Sequence, residues 1–348
     1  MDPAMERDAW TDAEAGSPTS DAIEAGSSAP LDVNVLTLTT YADAPFMRSQ
    51  LEALADRGVS SRLMTVPGHV SAGESRGVRD YLAFFPAVRR EIRRGTDPAM
   101  EENAYDLVHA HYGLTAPMAL AQRQLPVVCS LWGTDLEGPG GPVSRACAPF
   151  CEEVVVMTDE MARSLGTDCT VLPFGIDLDV FRPMDRDDAR ERVGWDPDVR
   201  HVLFPYPPER TVKNYPRATR LVSVVDNLFD DPVQLQVVHD ADHHEVPTYM
   251  NAADALLLTS DHEGSPTAVK EALACNLPVV ATDVGDVSQR LAGVSPSTVA
   301  ADDDQLVAGL LEVLEREERS NGREAVREVS QDVIVDRLLE CYQRAVDR

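Results

Sequence analysis

The sequence predicts an α/β protein made of two halves, each a parallel sheet wrapped by helices, and three observations carry that prediction. Short apolar runs alternate with amphipathic stretches from residue 31 to residue 172, the same alternation restarts after Pro183, and residues 254 to 282 run strand, acidic turn, helix, strand as a βαβ unit. At 348 residues the chain exceeds one typical core, so two domains are expected.

In the first half Leu31 to Leu38 reads as a strand, Pro45 to Arg57 as a helix stopped at Gly58, and Ser60 to Val66 as the next strand. Asp80 to Arg94 is a helix closed by Gly95. Tyr105 to Ala110, Pro126 to Leu131, Glu153 to Met157 and Cys169 to Leu172 read as strands, with helices at Thr115 to Gln124 and Asp159 to Leu165. The second half gives strands at His201 to Pro205 and Val233 to His239 and helices at Lys213 to Leu228 and Val246 to Ala252. The βαβ unit follows, and Gln305 to Arg319 and Gln331 to Val346 are helical. Ligands of open parallel sheets bind at the carboxyl ends of the strands. His111, Trp132, Arg210, Glu263 and Asp283 all follow predicted strands, which is consistent with one shared cleft.

The composition narrows the class further. A formal net charge of -28 argues against a nucleic-acid partner held by general electrostatics. Of 31 Lys+Arg only Lys213 and Lys270 are lysine, a bias that, with the acid excess, looks like a protein from the salt-loaded cytoplasm of a halophilic archaeon. Lysine being otherwise avoided, Lys213 reads as functional; for Lys270, a solvated helix position is an equal alternative. Residues 1–30 are acidic and rich in Ala, Gly, Ser and Pro, without the basic and apolar regions of a signal peptide, and read as a disordered tail. No apolar run is long enough to span a bilayer. The six cysteines lack a paired C-x-x-C arrangement and read as buried thiols of a reducing cytosol.

The run Glu263-Gly-Ser-Pro-Thr-Ala-Val-Lys-Glu271 is the most informative stretch. Pro266 suits the first helical position, which makes Ser265 the expected N-cap and Ala268 to Ala274 the helix body. A helix start offers free N–H groups and the positive end of the macrodipole, and Gly264 lets a phosphate approach them. Glu271, on the second turn, is placed to accept hydrogen bonds from the two hydroxyls of a ribose. Glu263 is expected to face sugar hydroxyls, since a carboxylate aimed at a diphosphate repels it.

Residues 246–287 closely resemble the donor-binding core of family 4 (group 1) glycosyltransferases, which have the GT-B fold of two facing Rossmann-like domains. Leu172-Pro-Phe-Gly-Ile-Asp177 with Phe181-Arg-Pro183 resembles that family's interdomain segment, Arg210-Thr-Val-Lys213-Asn214 its phosphate-binding Arg and Lys, and Asp106 to Gly113 its N-domain strand end. The resemblance implies an N-terminal acceptor domain at 31–175, a C-terminal nucleotide-sugar donor domain at 176–334, and a last helix at 335–348 that crosses back to the first domain. It also implies a retaining, metal-independent transfer of a hexose-type sugar from a nucleoside-diphosphate sugar to a hydroxyl acceptor such as a lipid-linked glycan, a polysaccharide or a small molecule. The implied catalytic residues are His111, Glu263, Lys213 and Arg210. Gly264, Ser265, Pro266, Thr267 and Glu271 bind the donor, and Trp132, Asp135 and Tyr41 lie on the acceptor side. No resident cofactor and no metal ligands are expected. Asp177-x-Asp179, Asp185-x-Asp187 and Asp240-x-Asp242 are chance hits in a chain with 59 acidic residues.

The chain departs from the family pattern in places. Its Arg and Lys stand only three positions apart, so Lys213 is the safer assignment and Arg210 has a surface alternative. Where many relatives have H-G-x-D, this chain has Trp132-Gly133-Thr134-Asp135, so Trp132 either stacks on an acceptor or packs internally. The glycine-rich loop common after the first strand is replaced by residues 39–45, and Gly138 to Gly141 reads as a flexible loop. Arg89, Arg90, Arg93 and Arg94 on one amphipathic helix suit either a peripheral contact with the inner face of a membrane or a salt-bridged surface. Two other function classes share the architecture: a nucleotide-sugar 2-epimerase, and a non-catalytic nucleotide-sugar-binding relative.

Overall fold

The computed structural model describes residues 32–40, 42, 44–68, 76–95 and 104–348. The acidic tail and Tyr41 lie outside the described residues. Two parallel sheets carry the fold. The first orders its strands β2-β1-β3-β4-β5-β6, with β1 at Val33–Thr39, β2 at Val59–Thr65, β3 at Leu107–His111, β4 at Val127–Leu131, β5 at Glu153–Val156 and β6 at Thr170–Val171. The second orders β11-β10-β9-β7-β8, with β7 at Arg200–Phe204, β8 at Val233–Val237, β9 at Ala255–Leu258, β10 at Val279–Thr282 and β11 at Thr298–Ala300. β3, β4, β9 and β10 are buried along their whole length, as expected of parallel strands covered on both faces.

The helices follow from local chemistry. α1 (Pro45–Ala55) starts on a proline, α2 is Val78–Gly95, and α3 (Ala116–Leu120) is shorter than the expected Thr115 to Gln124. Gln122 explains the early stop: its side chain donates to the carbonyls of Ala119 and Leu125 and accepts from the N–H groups of Gln124 and Leu125, closing a turn before Pro126. In the glycine-rich run, residues 138–140 form a bend and turn between two short helices. α4 (Gly133–Glu137) precedes it, and Gly141 begins α5 (Gly141–Cys147), where a Cβ would lie 2.2 Å from the Leu136 carbonyl oxygen. Close packing, not mobility, requires that glycine. α6 (Asp159–Leu165) is capped by Thr158, and α7 (Arg186–Val193), absent from the sequence reading, by Asp185.

The second half continues with α8 (Tyr215–Leu228), α9 (Val246–Ala252), α10 (Thr267–Ala274), α11 (Val287–Arg290), α12 (Asp303–Arg316), α13 (Gly322–Ala325) and α14 (Gln331–Val346). α14 returns to the first sheet. Its Ile334, Val335, Leu338, Leu339, Tyr342 and Ala345 are buried, and Arg57, just past α1, pairs with Asp332 at 2.8 Å and Asp336 at 2.6 Å. Backbone bonds between Ile176 and residues Val329 and Gln331 seal the crossing beside it. Under the helix, the Tyr342 hydroxyl lies 2.7 Å from His109 Nδ1, whose Nε2 lies 2.8 Å from the Ser130 hydroxyl. Burial holds His109 well below the usual histidine range, so the ring is neutral and needs one donor and one acceptor.

Replacing Tyr342 by Phe strips a buried imidazole nitrogen of its partner, a loss of about 1–3 kcal/mol. A urea titration of Tyr342→Phe should show a lower midpoint at unchanged slope.

Candidate active site in the interdomain cleft

The donor-side wall is built on turns that follow β7, β9 and β10. After β7, a single 3-10 turn (Thr211–Lys213) ends at Asn214, whose positive φ of 54° lets it cap α8, so Lys213 stands on the turn and not inside the helix. Thr259, just past β9, donates its hydroxyl to the carbonyls of Lys213 and Asn214 at 2.9 and 3.1 Å, and the Asp261 N–H donates to the Val212 carbonyl. These bonds fasten the two turns together. The Lys213 ammonium, 4% exposed, meets Glu263 Oε1, which also accepts the Ser260 hydroxyl at 2.7 Å. It also lies 3.9 Å from the ring centre of Tyr206. Burial lowers its pKa, partly offset by Glu263. Arg210 is exposed beside it, with no ion pair among the described residues.

The loop before α10 differs from expectation in one respect. The helix begins at Thr267 with Pro266 in the cap position and no side-chain cap, so its first amides have no side-chain acceptor. Ser265 is drawn off instead: its hydroxyl donates to Asp286 at 2.8 Å and accepts from Lys270 Nζ at 3.0 Å. Lys270 is fully buried rather than solvated, because its ammonium reaches across to the carbonyl of Phe174 at 2.9 Å; burial pulls its pKa down to about 8. Gly264 closes the loop, its carbonyl accepting the Asp286 N–H at 3.0 Å. Glu271, one residue after Lys270 on the helix, is half-buried and has no hydrogen-bond or ion-pair partner among the described residues. Desolvation pushes its carboxyl up to about 7, against the opposing pull of Lys270.

The facing wall comes from the first sheet. His111 ends β3, 2% exposed, with its ring 3.8 Å from that of His109 and 5.8 Å from that of Trp132. Desolvation drops it to about 3, so the imidazole is neutral. Trp132 packs internally: it lies 4.6 Å from Phe46, 4.5 Å from Tyr112 and 4.4 Å from Phe174. Its backbone N–H donates to Asp135 Oδ2 at 2.8 Å, and burial pushes that carboxyl up to about 7. The two walls touch where Gly133 faces Gly264 and where His262 meets Glu137 at 2.6 Å.

Of the residues expected in the site, the structure gathers Arg210, Lys213, Glu263, Gly264, Ser265, Pro266, Thr267 and Glu271 on one wall and His111, Trp132 and Asp135 on the other. The acidic pairs are structural: Asp177 and Asp185 accept from their own backbone turns. Among the described residues no group of three His, Cys, Asp or Glu converges as a metal-binding set. Arg89, Arg90, Arg93 and Arg94 lie on the exposed face of α2, and no helix among the described residues is long and apolar enough to cross a membrane.

Two contributors were not singled out by the sequence, Tyr206 and Thr40. With His111, Trp132 and Asp286 they hold five buried polar atoms that lack a protein partner: Thr40 Oγ1, His111 Nδ1, Trp132 Nε1, Tyr206 OH and Asp286 Oδ1. Each belongs to the carboxyl end of a strand, or to the turn just beyond it, in one of the two sheets. An unmet buried polar group costs about 1–3 kcal/mol, so each of these strand-end atoms is suited to a partner from outside the protein.

Two facing parallel-sheet domains with a polar cleft between their strand ends define the GT-B class, and comparison with known proteins places the chain within it. Residues 18–164 match the family model "Glycosyl transferase 4-like domain" and residues 220–316 match "Glycosyl transferases group 1". The chain is 28% identical over 252 residues to the putative teichuronic acid biosynthesis glycosyltransferase TuaC of Bacillus subtilis, covering 61% of this chain and 65% of that protein. It is 27% identical over 315 residues to D-inositol 3-phosphate glycosyltransferase 2 of Catenulispora acidiphila, covering 71% and 72%. Among solved structures it resembles sucrose-phosphate synthase of Thermosynechococcus elongatus (TM-score 0.70, 16% identity, 90% of this chain and 98% of that one). It also resembles HepE of Anabaena in complex with UDP and glucose (TM-score 0.62, 15% identity, 88% and 98%). The UDP-GlcNAc 2-epimerase of Methanocaldococcus jannaschii shares the architecture more distantly (TM-score 0.55, 10% identity, 88% and 98%). The two models together span more than half of the chain, which belongs to the group 1 glycosyltransferases and has the GT-B fold; it spans 65% of the length of TuaC.

Gly285 has φ +58° and its Cβ would lie 2.0 Å from the Gly264 carbonyl oxygen, whereas Gly293, at φ +76°, has open space around it. Gly293→Ala should therefore carry only the left-handed strain of about 1–2 kcal/mol, and Gly285→Ala that strain plus the displacement of the Glu263–Ser265 loop. Thermal denaturation of both variants should show the larger fall in Tm for Gly285→Ala.

Proposed function

We propose that the chain transfers a sugar, with retention, from a nucleoside-diphosphate sugar to a hydroxyl acceptor. The observation that carries this reading is Lys213, with Arg210 beside it, held on Glu263 in the loop that leads into the uncapped start of α10, whose second turn bears the unpartnered carboxylate of Glu271. HepE, of similar fold, was solved with UDP and glucose, which supports a nucleotide sugar as donor.

Breaking the bond between the anomeric carbon and its phosphate oxygen leaves negative charge on the nucleoside diphosphate and positive charge on the sugar. Arg210, Lys213 and the amides of Gly264, Ser265 and Thr267 meet the first, Lys213 exchanging its bond to Glu263 for the phosphate. Glu271 accepts the ribose hydroxyls and Glu263 faces the sugar. The acceptor hydroxyl attacks on the face the phosphate leaves; its oxygen bonds the anomeric carbon and its proton passes to the departing phosphate. The neutral His111, with Trp132 and Asp135, lines the side from which the acceptor comes. In this scheme no resident metal takes part.

The acceptor belongs to the lipid-linked, polysaccharide or small-molecule hydroxyl class. Lipid-linked acceptors fit a cytosolic enzyme that touches the inner membrane face through Arg89, Arg90, Arg93 and Arg94. In a halophile's cytosol, where molar salt shrinks the Debye length to about 3 Å, only direct arginine contacts hold such a surface. The epimerase reading rests on shared architecture alone, and assay separates the two: transfer yields nucleoside diphosphate plus a glycosylated acceptor, whereas epimerisation yields an altered sugar and no acceptor product.

Lys213→Ala should lower kcat/KM by about a hundredfold or more while leaving the fold intact, as loss of a preorganised charge predicts. Unchanged kinetics would sink the assignment. Because Glu271 ionises near 7, donor affinity should rise as pH goes from 6 to 8, when the carboxyl becomes an acceptor-only carboxylate. Calorimetry on Glu271→Gln should give weaker binding and a flatter pH profile.

A further inference from the structure

Tyr206 stands two residues past β7, in the run Pro205-Tyr206-Pro207-Pro208. Prolines on both sides restrict its backbone. The ring packs edge-on to Phe204 at 5.5 Å and lies under the Lys213 ammonium at 3.9 Å. The residue is 7% exposed, yet its hydroxyl has no partner. The carboxylates that feel its charge do not take the proton: Glu263 already accepts from Lys213 and Ser260, and Glu271 makes no hydrogen bond. A buried hydroxyl beside a cation, in a cleft of unmet polar atoms, is placed for an anionic oxygen that the ligand brings.

We propose that Tyr206 is a donor-binding residue, its hydroxyl donating a hydrogen bond to the terminal phosphate of the nucleoside diphosphate while its ring seats Lys213. The inference rests on the nucleotide-sugar reading of the cleft and adds to it a contact that no carboxylate or lysine supplies. Burial, reinforced by Glu263 and Glu271, holds the phenol well above its usual pKa, so it stays protonated and acts as a donor across the working pH range. The face of the ring is a separate contribution: an ammonium over an aromatic face is attracted by its quadrupole.

Calorimetry on the intact chain tests this, titrating UDP, GDP, ADP and dTDP, then comparing the tightest binder with its monophosphate. Tyr206→Phe keeps the ring and deletes the hydroxyl. The diphosphate should bind about tenfold more weakly, as expected for a lost hydrogen bond to a charged group, with monophosphate affinity and Tm unchanged. Tyr206→Leu, which also removes the seat of Lys213, should weaken the diphosphate further. Wild-type affinity in Tyr206→Phe, or an equal loss for both nucleotides, would overturn the assignment. Lys213→Ala is the control. If it weakens the diphosphate while Tyr206→Phe does not, only the Tyr206 inference falls; if neither variant changes binding, or no nucleotide binds the wild type, the nucleotide-sugar reading falls with it.

Discussion

A buried ammonium held against a carboxylate, Lys213 on Glu263, is the interaction on which the cleft depends. Charges removed from water are costly unless paired, and here each partner is fixed by further bonds: Glu263 by Ser260, Lys213 by Tyr206, and their two turns by Thr259. The pair therefore locks the turn after β7 to the turn after β9, and these two carry most of the donor-side groups.

The opposite wall is joined to this one by contacts that also define the interdomain geometry. Lys270 ties α10 to the Phe174 carbonyl, and the ring of Phe174 packs on Trp132 and Phe46. A single residue of the interdomain segment thus touches both the donor helix and the aromatic floor of the facing domain. Trp132, which stands where many relatives have histidine, is in edge-on ring contact with Phe174. α14 supports the same wall from behind through Tyr342 and His109.

Much of this was legible before any coordinates. Parallel strands buried on both faces give continuous apolar runs, and β3, β4, β9 and β10 were readable for that reason. The avoidance of lysine singled out Lys213, which the structure pairs with Glu263, whereas Lys270, with a solvated position as its alternative reading, is buried against the Phe174 carbonyl. The failures have physical causes. Ser265 looked like a helix cap because its spacing from Pro266 was right, but Asp286 and Lys270, twenty-one and five residues away, compete for its hydroxyl. Gly141 looked flexible because a glycine run carries no sign of the Leu136 carbonyl packed against it.

The sequence by itself determined the α/β alternation, the two halves and the motif residues of the donor side, because periodicity and cap chemistry are local. Only the tertiary structure decided which of those residues are desolvated, and so which charges are paired and which polar atoms are left for a ligand. Tyr206 shows the difference: its flanking prolines are plain in the chain, but its unmet hydroxyl and its place beneath Lys213 arise from strands and turns that are distant in sequence and adjacent in space.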